Sequence, residues 1–131
     1  TTFDLVDAIK KAYPYKEMRK GHPGKQTFQA IRIEVNNELQ EVEDALQQAI
    51  DLIKVGGRVV VLTFHSLEDR LVKKKFNLVG KPAKVNPRIP IPIEENINFK
   101  VIVKGKKASK KELEENNRSH SAILRVLERM K

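Results

Sequence analysis

The 131-residue chain contains no cysteine. This absence excludes a disulfide framework, an iron–sulfur cluster, a thiolate nucleophile and a thiolate zinc site, and it agrees with a reducing cytosol. The three histidines are too few to build a typical zinc site unaided. No apolar run approaches the ~20 residues of a membrane span, and the first residues show no basic-then-apolar signal segment. We therefore expect a cytoplasmic protein with no metal site and no membrane association.

Aromatic residues are scarce at 5%, and no cluster of Phe or Tyr suggests a stacking platform for single strands. A phosphate-cradling glycine loop is also missing, because Gly56-Gly57 precedes the main strand-like run, whereas a dinucleotide-binding loop follows a strand and opens a helix. Positive charge, in contrast, is abundant. The 26 Lys and Arg exceed the 17 Asp and Glu, giving a net charge of +9. The favoured partner is therefore an anion, with nucleic acid ahead of a membrane surface.

Hydrophobic spacing predicts an α/β fold. In chain order, the predicted elements begin with a helix over 1–13, which opens with a capping-box pattern at Thr1 and Asp4, a helix over 27–54 and a strand over 58–64. They continue with a helix over 67–78 capped by Ser66, a strand over 98–104, a short helix opened by a capping box at Ser109 and Glu112, and a strand over 122–127. The longest helix contains Asn36-Asn37, where we expect a break because short amide side chains compete for backbone hydrogen bonds. The first strand is a continuous apolar run, which predicts burial on both faces in a parallel sheet, with Val59 to Val61 in the core. Four of the six prolines fall within 80–96, which predicts an extended, mobile loop.

The first candidate site is the turn after the predicted first strand, because α/β sheets place their ligands at such strand ends. His65 is suited to a phosphate or a base edge, and Ser66 with the free N–H groups of the first helical turn is suited to an anion. We take His65, Ser66 and Asp69 as candidate catalytic residues in an active-site wall. The alternative is structural: Ser66 only caps the helix, and the acidic side chains near it only complement the helix dipole.

The second candidate site is a basic loop and the helix face that follows it. Lys25, Gln29, Arg32 and Asn36 recur at spacings of four, three and four, so they share one face of a helix. Arginine and amide groups suit phosphate oxygens and base edges. The alternative is the ordinary polar face of an amphipathic helix. The candidate RNA-binding residues are Arg19, Lys20, His22, Lys25, Gln29, Arg32, Asn36 and Arg70.

Several stretches of the sequence resemble one protein family. Residues His22–Ile33, Val35–Leu39 and Gly56–Arg70 closely resemble the MraW family of bacterial 16S rRNA (cytosine-N4) methyltransferases, and residues 116–126 resemble the end of that family's sequence. The resemblance implies transfer of a methyl group from S-adenosylmethionine to N4 of a cytidine in the decoding region of 16S rRNA. It also implies a Rossmann-like methyltransferase domain with an inserted helical substrate domain.

The resemblance covers only the C-terminal portion of the family pattern. The family's glycine-rich loop and acidic cofactor contact do not occur here, which implies that this chain carries no main cofactor-binding residues and is inactive alone. Residues 1–25 are then the tail of the inserted substrate domain, and residues 26–131 are the C-terminal half of the methyltransferase domain, with a proline-rich loop at 79–97. Gly24-Lys25-Gln26 stands where Ala-Thr-Arg is commoner in the family. An exposed edge of a half-sheet further predicts a homodimer or a strand swap.

Two alternative functions stay open. A basic RNA-binding or ribosome-associated module without a cofactor fits the net charge of +9 equally well. A nucleoside or phosphate-ester hydrolase using His65 and Asp69 needs a metal or a nucleophile that the sequence does not offer. Ser66 does not fill this gap, because residues so close in one turn cannot chain their hydrogen bonds in the order of a catalytic triad.

Overall fold

The computed structural model describes residues 1–14, 16, 21–81 and 97–131, and these divide into two compact units, Thr1–Glu38 and Leu39–Lys131. The predicted proline-rich loop lies mostly outside the described residues. The described elements, in chain order, are α1 (Thr2–Ala12), α2 (Gly24–Val35), α3 (Glu38–Leu52), β1 (Arg58–Thr63), α4 (Ser66–Gly80), β2 (Phe99–Lys107), α5 (Lys110–Glu115), a 3₁₀ helix (Asn117–Ser121) and β3 (Ile123–Arg129).

Local signals predict the start of α1 and the end of α2, whereas α2 begins at Gly24, three residues before its predicted start. The Thr1 hydroxyl oxygen accepts from the backbone N–H of Asp4 at 3.3 Å and completes the predicted capping box of α1. The predicted break is confirmed as well, because α2 ends at Val35 and α3 begins at Glu38. Between them Asn37 has a φ of 53°. Asparagine tolerates this left-handed conformation better than most residues, so the second amide of the pair is what permits the interruption.

The three described strands form one sheet in the order β1-β3-β2, and β3 runs antiparallel to both neighbours. The predicted parallel sheet is therefore wrong for these strands, although β1 and β2 do run in the same direction as each other. The reason is that the last strand along the chain inserts between them. In this register Val59 lies opposite Leu127, and Val61 lies opposite Arg125.

The core lies on one face of the sheet. Leu46 and Ile50 of α3 and Val72 and Phe76 of α4 form a buried cluster with Leu127 of β3. The inward residues of β1 pack against this cluster. Its outward residues do not, since Val60 is 61% exposed and Leu62 is 53% exposed. The prediction of a strand buried on both faces is therefore wrong, and only every second residue of β1 faces the core.

This one-sided burial makes two substitutions behave differently. Leu127→Ala is expected to cost about 2–5 kcal/mol of unfolding free energy, because it leaves a cavity next to Val72 and Phe76. Val60→Asp is expected to cost about 1 kcal/mol or less, because the new carboxylate stays in solvent. Urea unfolding followed by circular dichroism measures both. Equal losses would contradict the assignment of the two faces.

Candidate functional site

The turn between β1 and α4 consists of Phe64 and His65. The N-cap of α4 is His65 rather than the predicted Ser66, because Nδ1 of the imidazole accepts from the backbone N–H of Glu68 at 3.4 Å. The Glu68 carboxylate in turn accepts from the backbone N–H of Phe64 at 3.2 Å. Ser66 is the first residue of the helix and is exposed. A reciprocal pair of side chains thus closes this turn, as in a capping box, with an imidazole in the place of a hydroxyl.

The second nitrogen of His65 is held less completely. Its Nε2 lies 3.1 Å from Oε1 of Glu68, yet it makes no hydrogen bond within the described residues. A neutral imidazole whose Nδ1 accepts a hydrogen bond carries its proton on Nε2. In this tautomer the Nε2–H group of His65 is buried close to the Glu68 carboxylate, on a side chain that is 16% exposed, and the described residues give it no hydrogen bond.

Asp69 forms a paired charge network with Arg125. Nε of Arg125 donates to Oδ1 of Asp69 at 2.7 Å, and Nη2 donates to Oδ2 at 2.8 Å, while the two side chains are 9% and 15% exposed. The remaining guanidinium nitrogen donates to the backbone carbonyl of Lys104, and the Thr63 hydroxyl donates to Asp69 at 3.4 Å. Hydrogen bonding from Arg125 holds the pKa of Asp69 below its usual value, against the opposing effect of burial.

This network ties α4 to all three strands. Asp69 therefore has a structural role, as the partner of Arg125 and not only as a complement to the helix dipole, and its catalytic role stays a prediction. Sequence reasoning missed Arg125, because the partner of a charged residue cannot be read from its neighbours in the sequence. Its only sequence signal is an Arg inside an otherwise apolar strand, where a buried charge needs a partner.

A cleft of about 390 Å³ opens at the edge of the sheet where β1 and β2 end and β3 begins. We call it the strand-edge cleft. Its apolar lining consists of Leu62, Phe64, Ala108, Ala122 and Leu124, and its polar lining consists of Lys106, Lys107, Ser109, Glu112, Asn116 and Ser119. No sequence pattern indicates this cleft, because its residues come from separate segments that only the sheet brings together.

The predicted stripe on α2 is partly assembled. Lys25, Gln29 and Arg32 line one open groove of about 350 Å³ together with Phe28. Asn36 does not line it and is instead the C-cap of α2. Arg32 is also engaged within its own unit, since its Nε lies 2.8 Å from Oε1 of Glu38 and its Nη2 donates to Oε2 at 3.0 Å. The cation least committed to other side chains in this groove is therefore Lys25.

The remaining candidates have separate positions. Nδ1 of His22 accepts from the backbone N–H of Gly24 at 3.2 Å, so this side chain helps to begin α2. Arg70 is exposed on α4. Arg19 and Lys20 lie outside the described residues. No group of His, Asp or Glu within the described ranges is arranged to hold a metal ion, and no described helix has the length and apolarity to cross a membrane.

Comparison with known proteins places these features in a family. A model described as the MraW methylase family matches residues 1–130. Ribosomal RNA small subunit methyltransferase H of Fusobacterium nucleatum subsp. nucleatum is 49% identical to the chain over 131 residues, which cover 98% of the chain and 41% of that relative. The chain thus spans about two fifths of the length of the curated relative, and the match lies in the relative's C-terminal part.

Proposed function

Since this chain belongs to the MraW methylase family, we propose that it forms the C-terminal part of an S-adenosylmethionine-dependent enzyme that methylates small-subunit ribosomal RNA. The observation that carries this proposal is the 49% identity to a ribosomal RNA small subunit methyltransferase over nearly the whole chain. We further propose N4 of a cytidine in the decoding region of 16S rRNA as the methylated atom. Such an enzyme acts in the cytoplasm, with the small ribosomal subunit as its partner.

The described residues support a contribution to RNA binding rather than to cofactor binding. The α2 groove offers a cation, an amide and an aromatic ring in one place, which suits a nucleic acid. The turn after β1 does not suit S-adenosylmethionine, because the Phe64 and His65 side chains occupy the position where a cofactor-binding loop has glycines. In addition, the backbone N–H of Phe64 already donates to the Glu68 carboxylate. β2 leads instead into Ala108 and Ser109, again without a glycine. The cofactor would therefore be held mainly by residues outside this chain.

Within such an enzyme, this chain's task at the reaction centre is orientation. The lone pair of a cytosine exocyclic amine is delocalised into the ring, so methyl transfer requires the amine to be held by acceptors at a near-attack distance. We propose His65, Ser66 and Asp69 as part of the wall that faces this centre. His65 is the strongest of the three, because its Nε2 has no hydrogen bond within the described residues.

A chimera tests the proposed function. This chain replaces the matching C-terminal part of the Fusobacterium relative, and methylation of small ribosomal subunits is measured with radiolabelled S-adenosylmethionine. We expect the chimera to methylate rRNA and the isolated chain to show weak or no binding of S-adenosylmethionine by calorimetry. A folded chimera that binds RNA without methylating it would favour the alternative, a basic RNA-binding module without catalysis. Micromolar cofactor affinity of the isolated chain would contradict our assignment of the cofactor site.

The same chimera tests His65. His65→Ala is expected to lower single-turnover methylation by at least about 10-fold, which corresponds to the loss of one orienting interaction of about 1.4 kcal/mol. The control is Glu68→Gln, which keeps an acceptor for the backbone N–H of Phe64. Full activity of the His65→Ala chimera would leave His65 as a helix cap only.

We also propose a second copy of this chain as a partner, because one edge of the described sheet is open. β1 pairs only with β3 within the described residues, so its other edge has no described strand beside it. A homodimer or a strand swap through that edge follows from the exposure of unpaired backbone groups.

A further inference from the structure

We propose that the strand-edge cleft binds one nucleotide of single-stranded RNA, with the base against Leu62 and Phe64 and the backbone phosphate at Lys106 and Lys107. The inference rests on the proposed function and deepens it, because it identifies a second place on this chain where the RNA substrate is held. It involves residues distant in sequence from the α2 groove.

The position of the cleft supports a ligand role. β1 and β2 both run antiparallel to β3, so the ends of the first two strands and the start of the third meet at one edge. The candidate turn with His65 begins at the same edge, directly after β1. In open α/β sheets, ligands bind in the crevice outside the carboxyl ends of parallel strands, and β1 and β2 run in the same direction and both end at this edge. A nucleotide in the cleft therefore lies next to the proposed reaction centre.

The size and the apolar surface of the cleft fit a flat base. Its volume of about 390 Å³ lies within the range of small-ligand pockets, which starts at about 300 Å³. Phe64 is 51% exposed and Leu62 is 53% exposed, so both present apolar surface to an incoming group. Bases stack on aromatic side chains whatever the sequence of the RNA, because every base has a π-face.

The charge at the rim decides between a nucleotide and an apolar polypeptide segment. Lys106 and Lys107 are exposed, and neither has an ion-pair partner within the described residues. An apolar segment gains nothing from two free ammonium groups, whereas a phosphodiester does. Glu112 is the only acidic residue in the lining, and its Oε1 accepts from Nδ2 of Asn116 at 3.2 Å. In nucleic-acid sites carboxylates accept from base amino groups, so Glu112 is compatible with a base in the cleft.

The polar wall of the cleft is preorganised. Oγ of Ser109 accepts from the backbone N–H of Glu112 at 3.2 Å, and the Ser119 hydroxyl donates to the backbone carbonyl of Asn116 at 2.7 Å. The first bond caps α5, and the second holds Ser119 of the 3₁₀ helix to Asn116, the residue that joins the two helices. A ligand that enters this wall therefore needs to order few protein side chains, which lowers the entropic cost of binding.

The test measures binding of the 131-residue chain to a fluorescein-labelled oligoribonucleotide of about ten nucleotides by anisotropy. The test variant carries Lys106→Glu and Lys107→Glu. Its control carries Lys110→Glu and Lys111→Glu, which change the net charge equally and lie outside the cleft lining. We expect the test variant to lose at least about 10-fold more RNA affinity than the control. Phe64→Ala is expected to weaken binding at least about fivefold, as loss of one stacked base does. Its control is Val60→Ala, on an exposed β1 position outside the cleft lining.

The possible outcomes separate the two proposals. A wild-type chain without RNA affinity would overturn both this inference and the RNA-binding part of the proposed function. A wild-type chain that binds RNA, with equal losses for the two lysine pairs, would overturn the inference alone.

Thermal melts identify variants that fail to fold. In that case a 4-thiouridine oligonucleotide cross-linked to the wild-type chain decides: we expect the modified peptides to contain Phe64 or residues 106–119, and cross-links confined to other peptides would overturn the inference.

Discussion

Asp69→Ala is expected to lower the unfolding free energy by about 3–5 kcal/mol. The reason is that the variant leaves the buried Arg125 guanidinium without the carboxylate that accepts two of its hydrogen bonds. Arg125 is 7% exposed, so solvent cannot replace the lost partner without a local rearrangement. Urea unfolding at neutral pH measures the change.

A matched control and a pH series sharpen this test. Asp51→Ala removes an exposed aspartate whose only hydrogen bonds within the described residues come from the amide of Gln47, and it is expected to change stability by at most about 0.5 kcal/mol. The folded pKa of Asp69 is lowered, so the pair's stabilisation is complete above the unfolded pKa of about 3.9 and is lost as the pH falls through the folded value. The stability difference between wild type and Asp69→Ala should therefore narrow in acid. A difference that is constant with pH would contradict the pairing.

This result also changes how an activity loss at Asp69 is interpreted. The sequence alone predicts a loss of methyl transfer with little loss of stability. The bidentate pair predicts instead that activity and melting temperature fall together. A catalytic role for Asp69 would be supported only by a loss of methyl transfer in a variant that is still folded at the assay temperature.

Replacing Arg19, Lys20 and Lys25 together by Ala is expected to weaken rRNA binding about 10-fold or more at low salt. Each phosphate contact on a single strand contributes about 0.7 to the slope of log affinity against log salt, so the loss of three contacts should reduce that slope by about 2. Lys25 lines the α2 groove, while Arg19 and Lys20 lie outside the described residues. Filter binding across a salt series measures affinity and slope together.

The control for this variant removes equal charge elsewhere. Lys54, Lys74 and Lys131 are exposed and lie outside the α2 groove and the strand-edge cleft. Their combined replacement by Ala should leave most of the slope intact. If the control lowers the slope as much as the test variant does, the basic loop contributes only to the overall charge of +9 and is not a binding surface.

The features that the sequence predicted correctly are set by neighbouring residues. The capping box at Thr1, the N-cap at Ser109 and the break at Asn37 each depend on contacts within three or four positions. At Ser109 only the N-cap half of the predicted box forms, because the Glu112 carboxylate accepts from Asn116. The N-cap at His65 was missed by one residue, because an imidazole is not among the preferred capping side chains although its Nδ1 accepts equally well in this turn.

The features that the sequence did not predict depend on distant residues. The antiparallel pairing places Val59 opposite Leu127, and the Asp69–Arg125 pair joins residues 56 positions apart. A continuous apolar run does not reveal which of its faces is covered, so β1 looked like a fully buried strand. The strand-edge cleft was invisible for the same reason, since Phe64 and Lys106 become neighbours only after the sheet has formed.

The strand order has a consequence for biosynthesis. β3 is the last described strand along the chain and the middle strand in space, so β1 and β2 have no hydrogen-bonded strand neighbour within the described residues until residues 123–129 have emerged from the ribosome. The core-facing residues of β1, Val59 and Val61, therefore lack Leu127 as a packing partner while roughly half of the chain is translated. Contacts of such long sequence separation slow folding and expose chains to aggregation. A stalled or truncated translation product that ends before Ile123 would thus lack the pairing of all three described strands rather than one strand, and would be a natural target for chaperones and proteases.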